Sequence, residues 1–248
     1  MFKQVALAAI LIIVFWVRIT GQSQKAFAVD SNEDTKREES FGGSEAIKAI
    51  ARLGDLSRIA IRERLRQMRL PFHLPDPTLV NKFVEAQKMV VASGKRVDKL
   101  KAALQPVLDY HGRSQMPIYV VWSDQPKACL VDRAVIIITN RLMISATDEE
   151  IRGIVAHELA HEYVWDERIR AREAKDGKLM RELELFCDVV AAFTLKEIGD
   201  DPSSYSHILM RMTMIGSKMG SVTRSKSDTH PSLNARKKLN KFLCQRLD

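Results

Sequence analysis

After Lys3 an unbroken apolar run extends from Val5 to Val17 and is closed by Arg18. Thirteen residues are too few to cross about 30 Å of hydrocarbon at about 1.5 Å each. Ala26-Phe27-Ala28 follows as a small-x-small site. Residues 1–28 therefore read as an export signal cleaved after Ala28, which would make the protein periplasmic or secreted. An uncleaved N-terminal membrane anchor is the rival reading. Residues 29–44 are polar and end in Gly42-Gly43, the pattern of a flexible tether.

Helical periodicity begins at Glu45. Ile47, Ile50, Leu53, Leu56, Ile59 and Ile61 recur at mostly helical spacing and predict one helix to Leu70. Asp76-Pro77 predicts a second helix to about Ser93, by the pairing of an N-cap with proline at the first helical position. A third spans about Val97 to His111, with a kink expected at Pro106. After Met116-Pro117 the period shortens to that of strands, at Ile118–Trp122 and Ala134–Thr139. Thr147-x-x-Glu150 has capping-box form and opens a helix through His161. Further helices are expected over about Leu179–Ile198 and Ser204–Met219, then a polar loop, Gly220 to Thr229, and a basic last helix. The fold class is α+β, mostly helical with a small sheet. Residues 45–248 form one domain, a helical region 45–112 followed by a chemistry-bearing core 113–248.

Composition narrows the function. With 46% hydrophobic and 28% charged residues, the chain is neither disordered nor fibrous. Only one long apolar run is present, so a multi-span membrane architecture is excluded. Aromatics at 6% argue against base-stacking modules, and no nucleic-acid partner is expected. Cys129, Cys187 and Cys244 form no CxxC pair, which excludes a cysteine zinc finger and a disulfide framework. Cys129 and Cys244 remain able to pair in an oxidising compartment. The net charge of +8 is partly concentrated in the helix over 58–69, at Arg58, Arg62, Arg64, Arg66 and Arg69. That face suits a membrane surface, an acidic partner or simple solvation. The oligomeric state is not encoded in any of these patterns.

The strongest chemical signal is His157-Glu158-Leu159-Ala160-His161. Histidines at i and i+4 share a helix face and can grip one ion, and the glutamate between them can take a proton from water at the metal's open position. Neutral imidazole suits zinc, and a catalytic zinc needs a third protein ligand. Glu184 can supply it. Asp188, one turn on, can hydrogen-bond the outer nitrogen of a ligand histidine. The surrounding Leu183, Leu185, Phe186, Val189 and Val190 make two buried carboxylates costly without a cation. Glu182 is the rival ligand, with Phe186 rather than a carboxylate one turn beyond it. Cys187 reads as a buried thiol. His73, His111 and His207 have no partners at metal spacing and read as surface or core histidines.

His157-Glu158-x-x-His161, Glu184-x-x-x-Asp188 and the late Thr229-His230-Pro231 together resemble the gluzincin metallopeptidases of family M48, the HtpX-like and CAAX prenyl protease relatives. The resemblance covers roughly Ile118 to the C-terminus. It implies a zincin-type fold and one Zn²⁺ per chain, held by His157, His161 and Glu184, with Glu158 as general base. It also implies a polypeptide substrate bound as an extended strand. Ala134–Thr139, followed by Asn140-Arg141-Leu142-Met143, matches the family's cleft strand, which makes Ile136–Thr139 the expected docking edge. His230, Pro231 and Arg236 match a downstream His-Pro and arginine. His230 would then face the zinc, as a donor to the oxyanion or as a fourth ligand that holds the enzyme off. The multiple membrane helices of HtpX and the prenyl proteases have no counterpart here, so the expected activity is endoproteolysis of exported or misfolded proteins. Two other readings stay open: a latent, chaperone-like zinc protein that binds unfolded chains, and a hydrolase of non-peptide bonds.

Overall fold

The first clear helix restart comes at Ser57, whose hydroxyl accepts from the Ala60 amide at 3.3 Å and caps α1, Arg58–Met68. This computed structural model describes residues 45–46, 48–54, 57–69, 71, 85, 90–218 and 229–247. The export segment, the tether, the Asp76-Pro77 helix start and the loop 220–228 lie outside the described residues. The single helix expected from Glu45 to Leu70 is in fact broken. The helical residues end at Ala51, and Gly54 at φ +77 takes a left-handed conformation that helical backbone does not allow. Two arginines, Arg62 within α1 and Arg69 just past its end, serve the fold itself. Arg62 pairs with Glu197, and Arg69 donates to the Tyr110 carbonyl at 2.9 Å.

Gly94 precedes α2, Lys95–Tyr110, which continues through Pro106. Three short strands follow: β1 Ile118–Val121, β2 Ala128–Val131 and β3 Val135–Thr139. Their order is β1-β3-β2, with β1 parallel and β2 antiparallel to β3. Strand β2 was not expected. Its apolar run is only four residues, and the turn that returns it to β3 lacks glycine. Asp132 and Arg133 adopt φ +48 and +58, and the Ala134 amide closes the turn on the Val131 carbonyl at 2.9 Å. A tight turn with both central residues left-handed is normally signalled by Asn-Gly or Asp-Gly.

The sheet order corrects the expected docking edge. Both sides of β3 are paired, so Ile136–Thr139 is the centre of the sheet and fully buried. A continuous apolar run fits a strand covered on both faces better than an edge. The outer side of β1 is occupied as well. Ala92 donates to the Val120 carbonyl at 2.7 Å, and Trp122 to that of Val90 at 2.9 Å. The chain is therefore extended at residues 90–92, where a helix to about Ser93 was expected. Among the described residues this leaves β2 as the edge without a strand partner.

Helix α3, Asn140–Ser145, is capped by Thr139. The capping box then forms as the sequence predicts. Thr147 Oγ1 accepts from the Glu150 amide at 3.2 Å, and Glu150 Oε2 accepts from the Thr147 amide at 2.8 Å. It opens α4, Asp148–Ala160, which tightens into a 3-10 turn at His161–Val164. After α5, Trp165–Glu173, comes α6, Gly177–Glu197, started by the Asp176 side chain. Helices α7, Ser203–Lys218, and α8, Leu233–Leu247, complete the chain. Nearly every residue of α6 from Glu182 to Leu195 is buried, because the helix lies between two apolar clusters. One joins α2, the sheet, α4 and α7. The other joins α1, the end of α4 and α8. The fold is thus α+β, mostly helical with a three-stranded mixed sheet, and α4 packs directly on α6.

Candidate active site

His157 and His161 lie one turn apart, across the end of α4 and the start of the 3-10 turn. Both rings are buried and meet edge to face, with centroids 4.9 Å apart. One ligand atom from each of His157, Glu158 and His161 lies within 4.8 Å of the others. Glu184 reaches the same imidazoles from α6, with Oε2 at 3.5 Å from His157 Nε2 and Oε1 at 3.8 Å from His161 Nε2. Glu182 is turned elsewhere and accepts from Arg52 Nε at 2.8 Å. Two residues along a helix are separated by about 200° of rotation, so the two glutamates cannot share one site.

The opposite ring nitrogens are held from behind. His157 Nδ1 lies 2.9 Å from Asp188 Oδ1 and 2.8 Å from the Tyr205 hydroxyl, and that hydroxyl donates to Asp188 Oδ1 at 2.6 Å. His161 Nδ1 lies 3.2 Å from the Cys187 sulfur. Cys187 is thus a buried thiol, as expected, and no disulfide joins Cys129, Cys187 or Cys244. With Nδ1 engaged on each ring, both Nε2 atoms face the Glu184 carboxylate. Two imidazole nitrogens and a carboxylate, buried together, are a donor set that zinc takes, with the outer histidine contacts that fix ligand orientation. The residues therefore fit the metal that the sequence pattern implies.

Two cations frame the carboxylates. From α8, Arg236 Nη2 donates to Glu184 Oε2 at 2.9 Å, and Nε stands 3.5 Å from Asp188 Oδ2. Arg168 Nη2 lies 3.6 Å from Glu184 Oε1. Burial opposes ionisation of Glu184, yet His161, His157 and Arg236 outweigh it and hold the carboxyl well below its usual range. Burial likewise opposes charge on His157, but hydrogen bonds to Asp188 and Glu184 push it up to about 9. Among the described residues His161 has no carboxylate at Nδ1, and burial with the Arg168 charge drives it well below the ordinary value. Glu158 is raised, chiefly by burial. Its Oε2 accepts from the Leu130 amide at 3.1 Å, which ties the outer edge of β2 to the motif helix.

His230 precedes α8. It is exposed, its Nδ1 is 3.1 Å from Thr229 Oγ1, and it lies within the electrostatic reach of Glu184, Arg236, Arg168 and His157. His111 is a core histidine and His207 is exposed. His73 lies outside the described residues. Tyr205, Arg168 and Leu130 went unnoticed in the sequence. Tyr205 sits in Pro-Ser-Ser-Tyr-Ser, where no spacing rule points to a site, and the Leu130 contact depends on an unforeseen strand.

Residues 95–175, from α2 through the sheet and α4 to the end of α5, match Peptidase family M48. No protein among the curated ones matches the chain. The matched stretch contains His157, Glu158 and His161 and stops short of Glu184, which is placed by geometry alone.

Proposed function

We propose that this chain, an M48-family metallopeptidase by the match over residues 95–175, is an exported endopeptidase that cleaves extended or unfolded polypeptides. The observation that carries the reading is the convergence of His157 Nε2, His161 Nε2 and the Glu184 carboxylate beside Glu158, with the β2 sheet edge next to it. His157, His161 and Glu184 would hold the zinc. A zinc ion there supplies a Lewis acid for the scissile carbonyl and makes a nearby water more acidic. Glu158 takes the proton of the attacking water and passes it to the leaving amine. Its burial-raised pKa brings it nearer to neutral working pH, where a general base is most effective. His161, His157 and Arg236 keep Glu184 charged and hard to protonate, so the ligand carboxylate does not compete as a base.

Strand β2 takes over the docking role that the sequence assigned to β3. Thr139 donates to the Lys127 carbonyl at 2.9 Å, and the register pairs Cys129 with Ile137. In an antiparallel ladder the intervening residues, Ala128 and Leu130, turn their amides and carbonyls outward. The Leu130 amide does so onto Glu158. A substrate strand added to this edge lies against α4, with its backbone beside the base and the ligands.

The test is digestion of unfolded casein by the zinc-loaded protein and by Glu158→Gln. The variant should keep its zinc and lose at least about 10²-fold in turnover. Binding of casein with no cleavage by the wild type would favour the chaperone-like reading instead. Export predicts a mature N-terminus at Val29, and intact-mass measurement showing residues 1–28 retained would favour the anchor. No helix among the described residues is long and apolar enough to cross a membrane.

A further inference from the structure

We propose that Tyr205 is a positioning residue for the metal centre, locking the His157 ring and Asp188 into one arrangement. The proposal deepens the zinc-site reading above and rests on it. The Tyr205 side chain is 2% exposed, and its ring stacks on that of His157 at 5.6 Å and 21°. Its hydroxyl has one proton, and that proton goes to Asp188 Oδ1 at 2.6 Å. The oxygen then remains as an acceptor 2.8 Å from His157 Nδ1, beside the same Asp188 oxygen at 2.9 Å. The Nδ1–H is thus held between two acceptors that are themselves bonded to each other. That fixes both the tautomer and the rotation of the ring, and it directs Nε2 at Glu184.

Three further features make Tyr205 more than packing. Asp188 Oδ2 makes no hydrogen bond among the described residues and has the Arg236 Nε charge at 3.5 Å, while Oδ1 takes the O–H of Tyr205, which steadies the carboxylate from its other side. Arg236 Nη1 stands 3.4 Å from the hydroxyl, which places Tyr205 between the ligand helix and the cation that pairs with Glu184. Third, α4 carries glycine where α7 crosses it. A Cβ at Gly153 would lie 3.1 Å from Tyr205 Cβ and 3.2 Å from its Cα. The motif helix is therefore open at the point that lets Tyr205 approach His157. Among the described residues His161 has only the thiol of Cys187 at its Nδ1, a weak hydrogen-bonding group, so the orienting contacts are concentrated on His157.

The test compares zinc affinity, by chelator competition, for the wild-type protein and Tyr205→Phe. The ring and its stacking are retained, so the variant removes the hydroxyl alone. Zinc Kd should rise about 10–100-fold, the usual cost of losing an outer contact to a ligand histidine. An unchanged Kd would overturn the proposal, even if the melting temperature fell. A wild type that binds no zinc would instead overturn the ligand assignment. A second readout needs no variant. In the zinc-loaded wild type, the His157 Nδ1–H should give a resolved proton resonance that exchanges slowly with water and shows a nuclear Overhauser effect to the Tyr205 ring. Exchange as fast as that of an exposed imidazole would also overturn the assignment.

Discussion

His111 should make the fold sensitive to mild acid in a way that one substitution removes. The ring is 2% exposed and lies between the Tyr163 hydroxyl, 2.7 Å from Nδ1, and Thr194 Oγ1, 3.0 Å from Nε2. Tyr110 meets it edge-on at 5.2 Å. The charges nearby are the Arg69 and Arg113 cations, the latter bonded to Glu162 at 3.0 Å. Among the described residues no carboxylate hydrogen-bonds the imidazole. Burial first, and then these two cations, push its pKa from 6.5 down to about 3. Between those values the unfolded chain binds a proton that the folded chain refuses, so stability falls as pH falls. The slope is about 1.4 kcal/mol per pH unit for one proton. At pH 5, about 1.5 units below the unfolded value, the loss relative to neutral pH is about 2 kcal/mol. His111→Gln keeps a polar group at the site and abolishes the titration. Urea melts of both proteins at pH 7 and pH 5, in chelator so that metal binding does not contribute, give the difference directly. Other histidines titrate in both proteins and cancel. The wild type should lose about 2 kcal/mol more than the variant. Equal losses would show that His111 is not held neutral by the fold.

At the ligand set, Glu184→Ala should lose zinc while Glu182→Ala keeps it, read by metal content after desalting; the reverse would exchange the two roles. Leu130→Pro removes the outward amide that donates to Glu158, at an edge that tolerates proline. It should lower kcat/KM roughly 2–12-fold, the worth of one net hydrogen bond, with zinc content unchanged; full activity would show that this amide does not hold the base. His230→Ala should leave zinc in place and lower kcat by about 10²–10³-fold if the imidazole donates to the oxyanion. A rise in kcat would make His230 a closing ligand instead, and no change would leave it without a role.

Local chemistry was legible in the sequence where it acts over a few residues. The capping box at Thr147 and Glu150 fixed the start of α4 and therefore which face carries His157 and His161. The four-residue spacing of Glu184 and Asp188 put both on one side of α6, and the apolar run around them announced a buried helix. What escaped depended on partners far along the chain. Strand β2 is a four-residue run whose return turn uses Asp132-Arg133 in left-handed conformations without glycine. Without β2, β3 looked like an edge, although its uniformly apolar sequence is that of a central strand. Gly54 divided a helix that hydrophobic spacing alone had joined. Tyr205 reaches His157 from 48 positions away, through an opening made by Gly153. Neither residue has meaning until α4 and α7 cross.

The central claim is that His157, His161 and Glu184 together form a zinc site, with Glu158 beside it as base rather than ligand. X-ray absorption at the zinc edge of the loaded wild-type protein addresses the ligands directly. Only nitrogen and oxygen neighbours should be seen, with two imidazoles at about 2.0–2.1 Å and the carboxylate at about 2.0–2.2 Å. A sulfur neighbour at about 2.3 Å would bring in Cys187, which already touches His161, and would contradict the site proposed here.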